Sequence, residues 1–207
     1  MIQAATITLW QKVAGIPSVH PYDGTAIALA TTATFLSINP LVAGLILLAS
    51  GRIKTYLGLY PASPGKIALW LLLISALMLA FAGLNWFLDR PTPDFMQVAM
   101  ETADPLVLLI FALVIAAPVT EEVVFRGFVY RGLAESRLGP IAAIVVSTLI
   151  FTLIHVQYES LDLLYVGLLG LALGIARWHT GSLLTPILMH ALANLIATLD
   201  VLLFMQG

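Results

Sequence analysis

Long apolar runs without charge are the feature that most restricts what this chain can fold into. Residues 24–50 pass 27 positions without a charged side chain, and residues 67–88 form a second such run. A helix needs about 20 mostly apolar residues to cross a bilayer. The chain is 60% hydrophobic and 10% charged, whereas soluble domains carry about 25% charged residues. We therefore predict an integral membrane protein that is surrounded largely by the lipid bilayer.

Further apolar runs complete the predicted fold. The third begins at Pro105 and reaches the glutamates at 121 and 122, and three more follow at 138–158, 160–177 and 180–199. The fifth run contains GLALG, whose two glycines are spaced for close helix packing. The predicted fold is an all-α bundle of about six transmembrane helices with an intramembrane polar cavity. Its length of 207 residues indicates one transmembrane domain, residues 1–207.

The distribution of charge predicts an orientation. Seven of the nine basic residues fall on one predicted side of the membrane: Arg52, Lys54, Lys66, Arg126, Arg131, Arg137 and Arg177. Lys12 and Arg90 fall on the other side. The positive-inside rule then places loop 51–66 in the cytoplasm and both termini outside, in the plasma (inner) membrane if the source is bacterial. We expect Trp10 and Lys12 to lie at the interface and no cleavable signal peptide.

Composition also excludes some classes of function. The net charge of −2 argues against nucleic acid as a partner, and the absence of cysteine excludes thiolate chemistry and Cys-ligated metals. Charged groups inside a span cost about 2.5–3.5 kcal/mol each on insertion scales. Ionisable residues within the apolar runs are therefore candidates for function.

The first candidate group is the stretch TEEVVFRG. Glu122 and Arg126 are four residues apart, so on a helix they share a face and can form an ion pair. Glu121 has Phe125 at the same spacing and no local cation, which makes it the candidate general base. Pro118 removes the helical donor to the carbonyl of Val114. The alternative is that these charged groups mark a membrane interface.

Two further groups lie in the later runs. His155 follows Phe151 by four residues in FTLIH, and His190 precedes Asn194 by four residues in HALAN. Taken alone, His155 is more typical of a hydrogen-bonded histidine near a helix end than of a catalytic site. His190 and Asn194, taken alone, are more typical of interhelical hydrogen bonds. Together with the glutamates of the first group, they supply the carboxylates, imidazoles and amide of a hydrolytic site on three predicted spans. His20 and His179 are expected in loops, without a role.

The three groups resemble the motifs of the CPBP (ABI) family of intramembrane proteases. That family includes type II CAAX prenyl endopeptidases and bacterial bacteriocin-processing and immunity proteins. Its pattern is EExxxR, FxxxH and HxxxN or HxxxD on successive helices. All seven positions match: Glu121, Glu122, Arg126, Phe151, His155, His190 and Asn194. The resemblance covers about residues 56–196.

The resemblance implies a role for each of these residues. Glu121 is implied to activate a water for attack on a peptide bond, together with His155. His190 and Asn194 are implied to bind the oxyanion of the tetrahedral intermediate. Glu122, Arg126 and Phe151 are implied to support the site. The implied partner is a peptide or membrane-protein substrate.

A metal requirement is left open by the resemblance, because members of the family have also been described as metalloproteases. Glu121, His155 and His190 could hold Zn²⁺ with an open fourth position. The sequence lacks the helical H-E-x-x-H arrangement of many zinc proteases. We therefore favour water activation without a metal or other cofactor.

The sequence leaves open two alternative functions that involve no hydrolysis. A non-catalytic relative would bind a peptide or membrane partner as an immunity or scaffold protein. A small transporter would use Glu121 and the histidines as a proton relay. The complete set of motifs favours the endopeptidase, and the sequence shows neither inverted repeats nor paired broken helices.

The predicted spans conflict with a single site. Glu121 lies near the cytoplasmic end of the third span, and His155 lies 15 residues past Pro140 in the fourth. Straight spans would place these two side chains in opposite leaflets. Either the third span continues past Arg126 to about Arg137, or the polar segment 157–162 enters a cavity. We expect one water-filled cavity to contain Glu121, His155, His190 and Asn194.

Overall fold

The computed structural model describes residues 22–91, 93–155 and 157–204, so Trp10, Lys12 and His20 lie outside the described residues. Within these ranges the chain forms helices and no strands, as predicted. Eight helices are present: α1 Gly24–Ser50, α2 Ile53–Leu57, α3 Pro64–Phe87, α4 Asp94–Thr102, α5 Leu106–Ala134, α6 Gly139–Leu153, α7 Ser160–Thr180 and α8 Leu184–Phe204. Five of them, α1, α3, α5, α7 and α8, are long and apolar enough to cross a membrane, and α6 is a shorter apolar helix.

Local sequence signals set several of the helix ends. The side chain of Asp23 accepts a hydrogen bond from the backbone of Ala26 and caps the start of α1. Gly51 ends α1 in the left-handed conformation at φ 68°, which glycine adopts without a steric penalty. Pro64 occupies the first turn of α3, where no helical donor is needed. The bounds of α1 and α3 therefore lie close to the predicted runs.

The fourth predicted span, 138–158, is wrong in its length. Helix α6 has only 15 residues, Gly139–Leu153, and at 1.5 Å per residue it covers about 22 Å, less than the roughly 30 Å of a hydrocarbon core. At its end the backbone N–H of His155 donates to the carbonyl of Thr152 at 3.0 Å, and the ring of His155 bonds the carbonyl of Phe151 at 2.7 Å. A polar connection follows, and α7 begins at Ser160.

Helix α5 resolves the conflict between the spans and the site. It continues past Arg126 to Ala134, as the first of the two alternatives required. Contacts of Phe125 with Phe151, and of Tyr130 with Ala143, show that α6 returns antiparallel to α5. Glu121 lies about 20 Å before the end of α5, and α6 rises about 21 Å from its start. The two helices therefore bring Glu121 and the end of α6 to the same level.

The polar segment 157–162 between α6 and α7 enters the cavity in part, which was the second alternative. Gln157, Tyr158 and Asp162 line the internal cavity. The side chain of Glu159 is exposed and pairs with Arg90 at 3.2 Å. The segment therefore reaches into the cavity and also contacts the loop that follows α3.

Two short π-helical segments interrupt α5 on either side of the glutamates. They span Ala112–Ala116 and Val123–Val129. In the first, the N–H of Ala117 donates to the carbonyl of Ala112, five residues back. The carbonyl of Leu113 then falls opposite Pro118, which has no N–H. The register shift therefore leaves the carbonyl of Leu113, one residue before Val114, without a helical donor. Such π segments are frequent at functional sites.

Glycines allow the close approach of α6 and α7 that the GLALG stretch predicts. A Cβ on Gly170 would lie 3.1 Å from the ring of Phe151, and one on Gly174 would lie 3.0 Å from Ile144. These distances are shorter than ordinary van der Waals contact. The two glycines therefore let α7 pack directly on α6 and bring the Gly170 carbonyl within reach of the site.

Two basic residues used in the charge count are buried inside the bundle. Arg126 is fully buried, and Arg177 is 3% exposed. Removing them leaves five of the seven basic residues on the predicted cytoplasmic side, so the predicted orientation still has the larger basic count there. His179 was expected in a loop; it lies in the last turn of α7, where its Nδ1 accepts a 3.0 Å hydrogen bond from Trp70 Nε1.

Candidate active site

The candidate site surrounds a cavity of about 1630 Å³ inside the helical bundle. Its walls come from α1, α3, α4, the middle of α5, the end of α6, α7 and α8. Four residues with sequence-predicted catalytic roles line it together: Glu121, His155, His190 and Asn194. The structure thus places in one cavity the residues that the sequence distributed over three motifs.

Glu122 and Arg126 form the predicted ion pair. Arg126 donates to Glu122 Oε1 at 3.0 Å, and both side chains are fully buried. Arg126 also donates to the carbonyl of Gly170 at 2.9 Å, and its guanidinium lies 4.4 Å from the ring centroid of Phe151. Both side chains are therefore enclosed by the helical bundle and are not exposed on its surface.

His190 connects the buried pair to the cavity. Its Nδ1 lies 3.0 Å from Glu122 Oε1, the same oxygen that accepts from Arg126. An ionised carboxylate can only accept hydrogen bonds, so Nδ1 of His190 carries the proton. The other ring nitrogen, Nε2, is directed toward Glu121 and lies 3.8 Å from its Oε2.

Glu121 is the partly exposed member of the glutamate pair. Its side chain is 25% exposed, and its Oε2 is buried without a hydrogen-bond partner in the described part of the chain. As predicted, Glu122 pairs with Arg126, whereas Glu121 has no cation beside it on the helix and faces the cavity. A partly exposed carboxylate on the cavity wall is available to a water or substrate proton.

His155 is oriented by the end of its own helix. Its Nδ1 lies 2.7 Å from the carbonyl of Phe151, which can only accept, so Nδ1 carries the proton. The rings of Phe151 and His155 are 4.6 Å apart, and those of Phe151 and His190 are 5.9 Å apart. His155 is thus a hydrogen-bonded histidine at a helix end that also lines the cavity, and Phe151 packs against both imidazoles.

Asn194 is linked to the first π segment of α5. Its Nδ2 donates to the carbonyl of Leu113 at 2.8 Å, the carbonyl that Pro118 leaves without a helical donor. This bond is the interhelical contact that the sequence offered as an alternative role. It uses one of the two amide hydrogens, and the side chain still lines the cavity.

Sequence reasoning missed Arg177 as a part of this region. Its Nε donates to the carbonyl of Arg126 at 3.1 Å, and its Nη2 donates to that of Leu57 at 3.3 Å. The guanidinium also lies 5.6 Å from the ring centroid of Tyr130. The available signal was that Arg177 is a single arginine in an apolar helical run. Its position near the end of that run instead suggested a loop.

The donors proposed for zinc do not form a ligand group in this arrangement. Among the residues that the structure describes, no three His, Cys, Asp or Glu side chains are grouped to hold a metal ion. The set Glu121, His155 and His190 therefore does not fit a three-ligand site, and we derive no step through a metal.

Comparisons with known proteins agree with these motifs. Residues 103–196 match the family model described as type II CAAX prenyl endopeptidase Rce1-like, and this range contains all seven motif residues. The chain is similar to the Escherichia coli "Uncharacterized 24.3 kDa protein", with 28% identity over 134 residues. That alignment covers 61% of this chain and 62% of the relative, so the chain spans less than two thirds of the relative's length.

No solved structure matches the chain significantly. The family match begins at residue 103 and does not include the part of the resemblance that precedes it, residues 56–102. Within the match, the EExxxR, FxxxH and HxxxN motifs lie on α5, α6 and α8 and converge on one cavity. Through residues 103–196 the chain is similar to type II CAAX prenyl endopeptidases, and this match supports the resemblance to the CPBP family of intramembrane proteases.

Proposed function

We propose that the protein is an intramembrane endopeptidase in which Glu121 activates a water for attack on a peptide bond. The main support is the position of Glu121 Oε2, which is buried, has no hydrogen-bond partner among the described residues and lies 3.8 Å from His190 Nε2. In their neutral forms both imidazoles present an unprotonated Nε2. A water that donates one hydrogen to Glu121 and the other to an imidazole would have its lone pair free for attack.

The proposed reaction conserves protons without an external acid. The water oxygen bonds to the carbonyl carbon while Glu121 takes one water proton, which leaves a tetrahedral oxyanion. The C–N bond then breaks, and Glu121 returns that proton to the leaving amine. The products are a carboxylic acid and an amine. Asn194 is proposed to donate its second amide hydrogen to the oxyanion.

The buried ion pair is proposed to position this machinery. Glu122 accepts from both Arg126 and His190, so it fixes the imidazole ring with Nε2 directed toward Glu121. Partners of this kind set both the tautomer and the orientation of a catalytic histidine. Arg126 in turn compensates the charge of the buried carboxylate.

We propose membrane-embedded or membrane-associated polypeptides as substrates. The cavity lies among helices that are long and apolar enough to cross a membrane, and Leu29, Leu79 and Trp86 line it although they are largely exposed on the bundle surface. A segment that reaches Glu121 therefore meets apolar walls first. We also propose that the protein lies in the plasma (inner) membrane if the source is bacterial, with both termini outside.

The experiment compares three purified proteins in detergent with a peptide library: wild type, Glu121→Ala and His155→Ala. We expect wild type to cleave and Glu121→Ala to lose at least about 10²-fold in activity, since general base catalysis contributes roughly 10²–10⁴-fold. Equal cleavage by wild type and Glu121→Ala would overturn the proposal.

Two further outcomes of this experiment test the scaffold alternative and the requirement for a metal. Binding without cleavage by wild type would favour the immunity or scaffold role. Parallel reactions with a chelator and a zinc analysis of the purified protein test the metal question. We expect activity to survive chelation, whereas its loss and recovery with added Zn²⁺ would replace the metal-independent mechanism.

A further inference from the structure

The site as described has few hydrogen-bond donors for an oxyanion. His155 and His190 both use their protonated Nδ1 toward an acceptor, the Phe151 carbonyl and Glu122 respectively. Their Nε2 atoms are then acceptors while the rings are neutral. Asn194 retains one free amide hydrogen. A developing oxyanion is ordinarily stabilised by more than one donor.

Tyr158 lies beside this group in the connection between α6 and α7. Its backbone N–H donates to the carbonyl of His155 at 3.2 Å, which closes a turn. Its ring lies 6.1 Å from that of His155, and Phe95 packs edge-on against it at 5.0 Å. Tyr158 also lines the cavity that contains Glu121. The ring is therefore held on the cavity wall from both sides.

We propose that the hydroxyl of Tyr158 donates a hydrogen bond to the substrate carbonyl oxygen and stabilises the oxyanion that forms there. This inference rests on the proposed endopeptidase function. The hydroxyl keeps its proton throughout, so the proton path through Glu121 is unchanged. Tyr158 and Asn194 then supply two donors, one from the connection between α6 and α7 and one from α8.

The chemistry of the phenol fits this role. Tyr158 lies outside the spanning helices, where burial and then the charge of Glu121 raise its pKa above the ordinary value for a tyrosine. The side chain is therefore a protonated donor at neutral pH.

A neighbouring tyrosine offers a matched control. Tyr165 lines the same cavity but stacks on Phe81, with ring centroids 4.4 Å apart and an angle of 15° between the rings. Phenylalanine at either position keeps the ring packing and removes only the hydroxyl. A difference between the two variants therefore reports on the position of the hydroxyl and not on packing.

The test measures kcat and KM for Tyr158→Phe and Tyr165→Phe in the detergent assay, on the peptide that wild type cleaves best. Loss of one oxyanion donor lowers kcat by about 10²–10³-fold, so we expect Tyr158→Phe to lose roughly that factor with little change in KM. We expect Tyr165→Phe to stay close to wild type. An unchanged kcat for Tyr158→Phe, or a rise in KM alone, would overturn the inference.

A binding measurement tests the same inference without turnover, in case a variant has a low kcat for a reason other than the lost hydrogen bond. The probe is a tetrahedral phosphonate analogue of the same peptide, compared with the uncleaved peptide on a Glu121→Ala background. We expect Tyr158→Phe to weaken binding of the phosphonate and to leave peptide binding unchanged. Equal effects on both ligands would assign Tyr158 to substrate packing and contradict the inference.

The two proposals fail in different ways. If Glu121→Ala cleaves as well as wild type, or if wild type cleaves no peptide, the endopeptidase function fails and the inference about Tyr158 fails with it. If Glu121→Ala is inactive while Tyr158→Phe keeps the kcat of wild type, only the inference about Tyr158 is wrong.

Discussion

The amide of Asn194 donates a 2.8 Å hydrogen bond to the backbone carbonyl of Leu113, and this bond joins α8 to the first π segment of α5. The carbonyl is available because Ala117 pairs with Ala112 and residue 118 is proline. A buried carbonyl without a partner is costly, especially within a membrane. The asparagine of the last motif therefore stabilises the helix that carries the glutamates, in addition to facing the cavity.

Replacement of Asn194 is expected to reduce stability as well as activity. Asn194→Ala and an ionised Asn194→Asp both lack a donor for the Leu113 carbonyl, and an unsatisfied buried acceptor costs about 1–3 kcal/mol. The measurement is thermal unfolding in detergent between pH 5 and pH 8. Protonation restores a donor only to aspartate, so Asn194→Asp should recover stability toward low pH. A pH-independent deficit in both variants would contradict this explanation.

The Glu122 and Arg126 pair is expected to show strong coupling. Removing one partner leaves an uncompensated buried charge, at a cost of about 3–5 kcal/mol. We expect Arg126→Met alone to destabilise the protein more than the double variant with Glu122→Gln, in which no charge is left at this pair. A double-mutant cycle of unfolding free energies measures this coupling. Additive effects would show that the two side chains contribute independently.

The sequence was sufficient to predict part of the site. Spacing of four residues predicts the Glu122 and Arg126 pair, because any helix places such residues on one face. It did not predict the π segment Ala112–Ala116, where the free carbonyl of Leu113 is bonded by the Asn194 amide from another helix, because this contact depends on how two helices pack. The length of α6 was also missed, because hydropathy stays high up to the helix end and does not register the contact between the ring of His155 and the carbonyl of Phe151.

Arg177 is expected to contribute to stability through backbone contacts. It donates to the carbonyls of Arg126 and Leu57, and so joins α7 to α5 and α2. Arg177→Lys keeps the charge but loses the planar donor geometry, so we expect a loss of about 1–3 kcal/mol, the range for unsatisfied buried groups. Thermal unfolding in detergent measures the effect. The exposed Arg137→Lys is the control and should unfold as wild type does; equal midpoints for the two variants would refute the role of Arg177.

Gly170 is expected to tolerate no side chain, because its backbone lies against the residues that hold the site. A Cβ there would lie 3.1 Å from the ring of Phe151 and 3.2 Å from Nη2 of Arg126, which donates to the carbonyl of Gly170 itself. Overpacking of this kind costs about 1–3 kcal/mol. We therefore expect Gly170→Ala to lower both the unfolding midpoint and kcat.

The matched control for this substitution is Gly83→Ala on α3, where an added Cβ meets nothing within 4 Å. Alanine is favoured over glycine in a helix interior by up to about 1 kcal/mol. The control should therefore unfold at the same or a higher temperature and keep its activity. If Gly170→Ala behaves like Gly83→Ala, α6 and α7 can separate without disturbing Arg126, and the close approach of these helices is not required by the site.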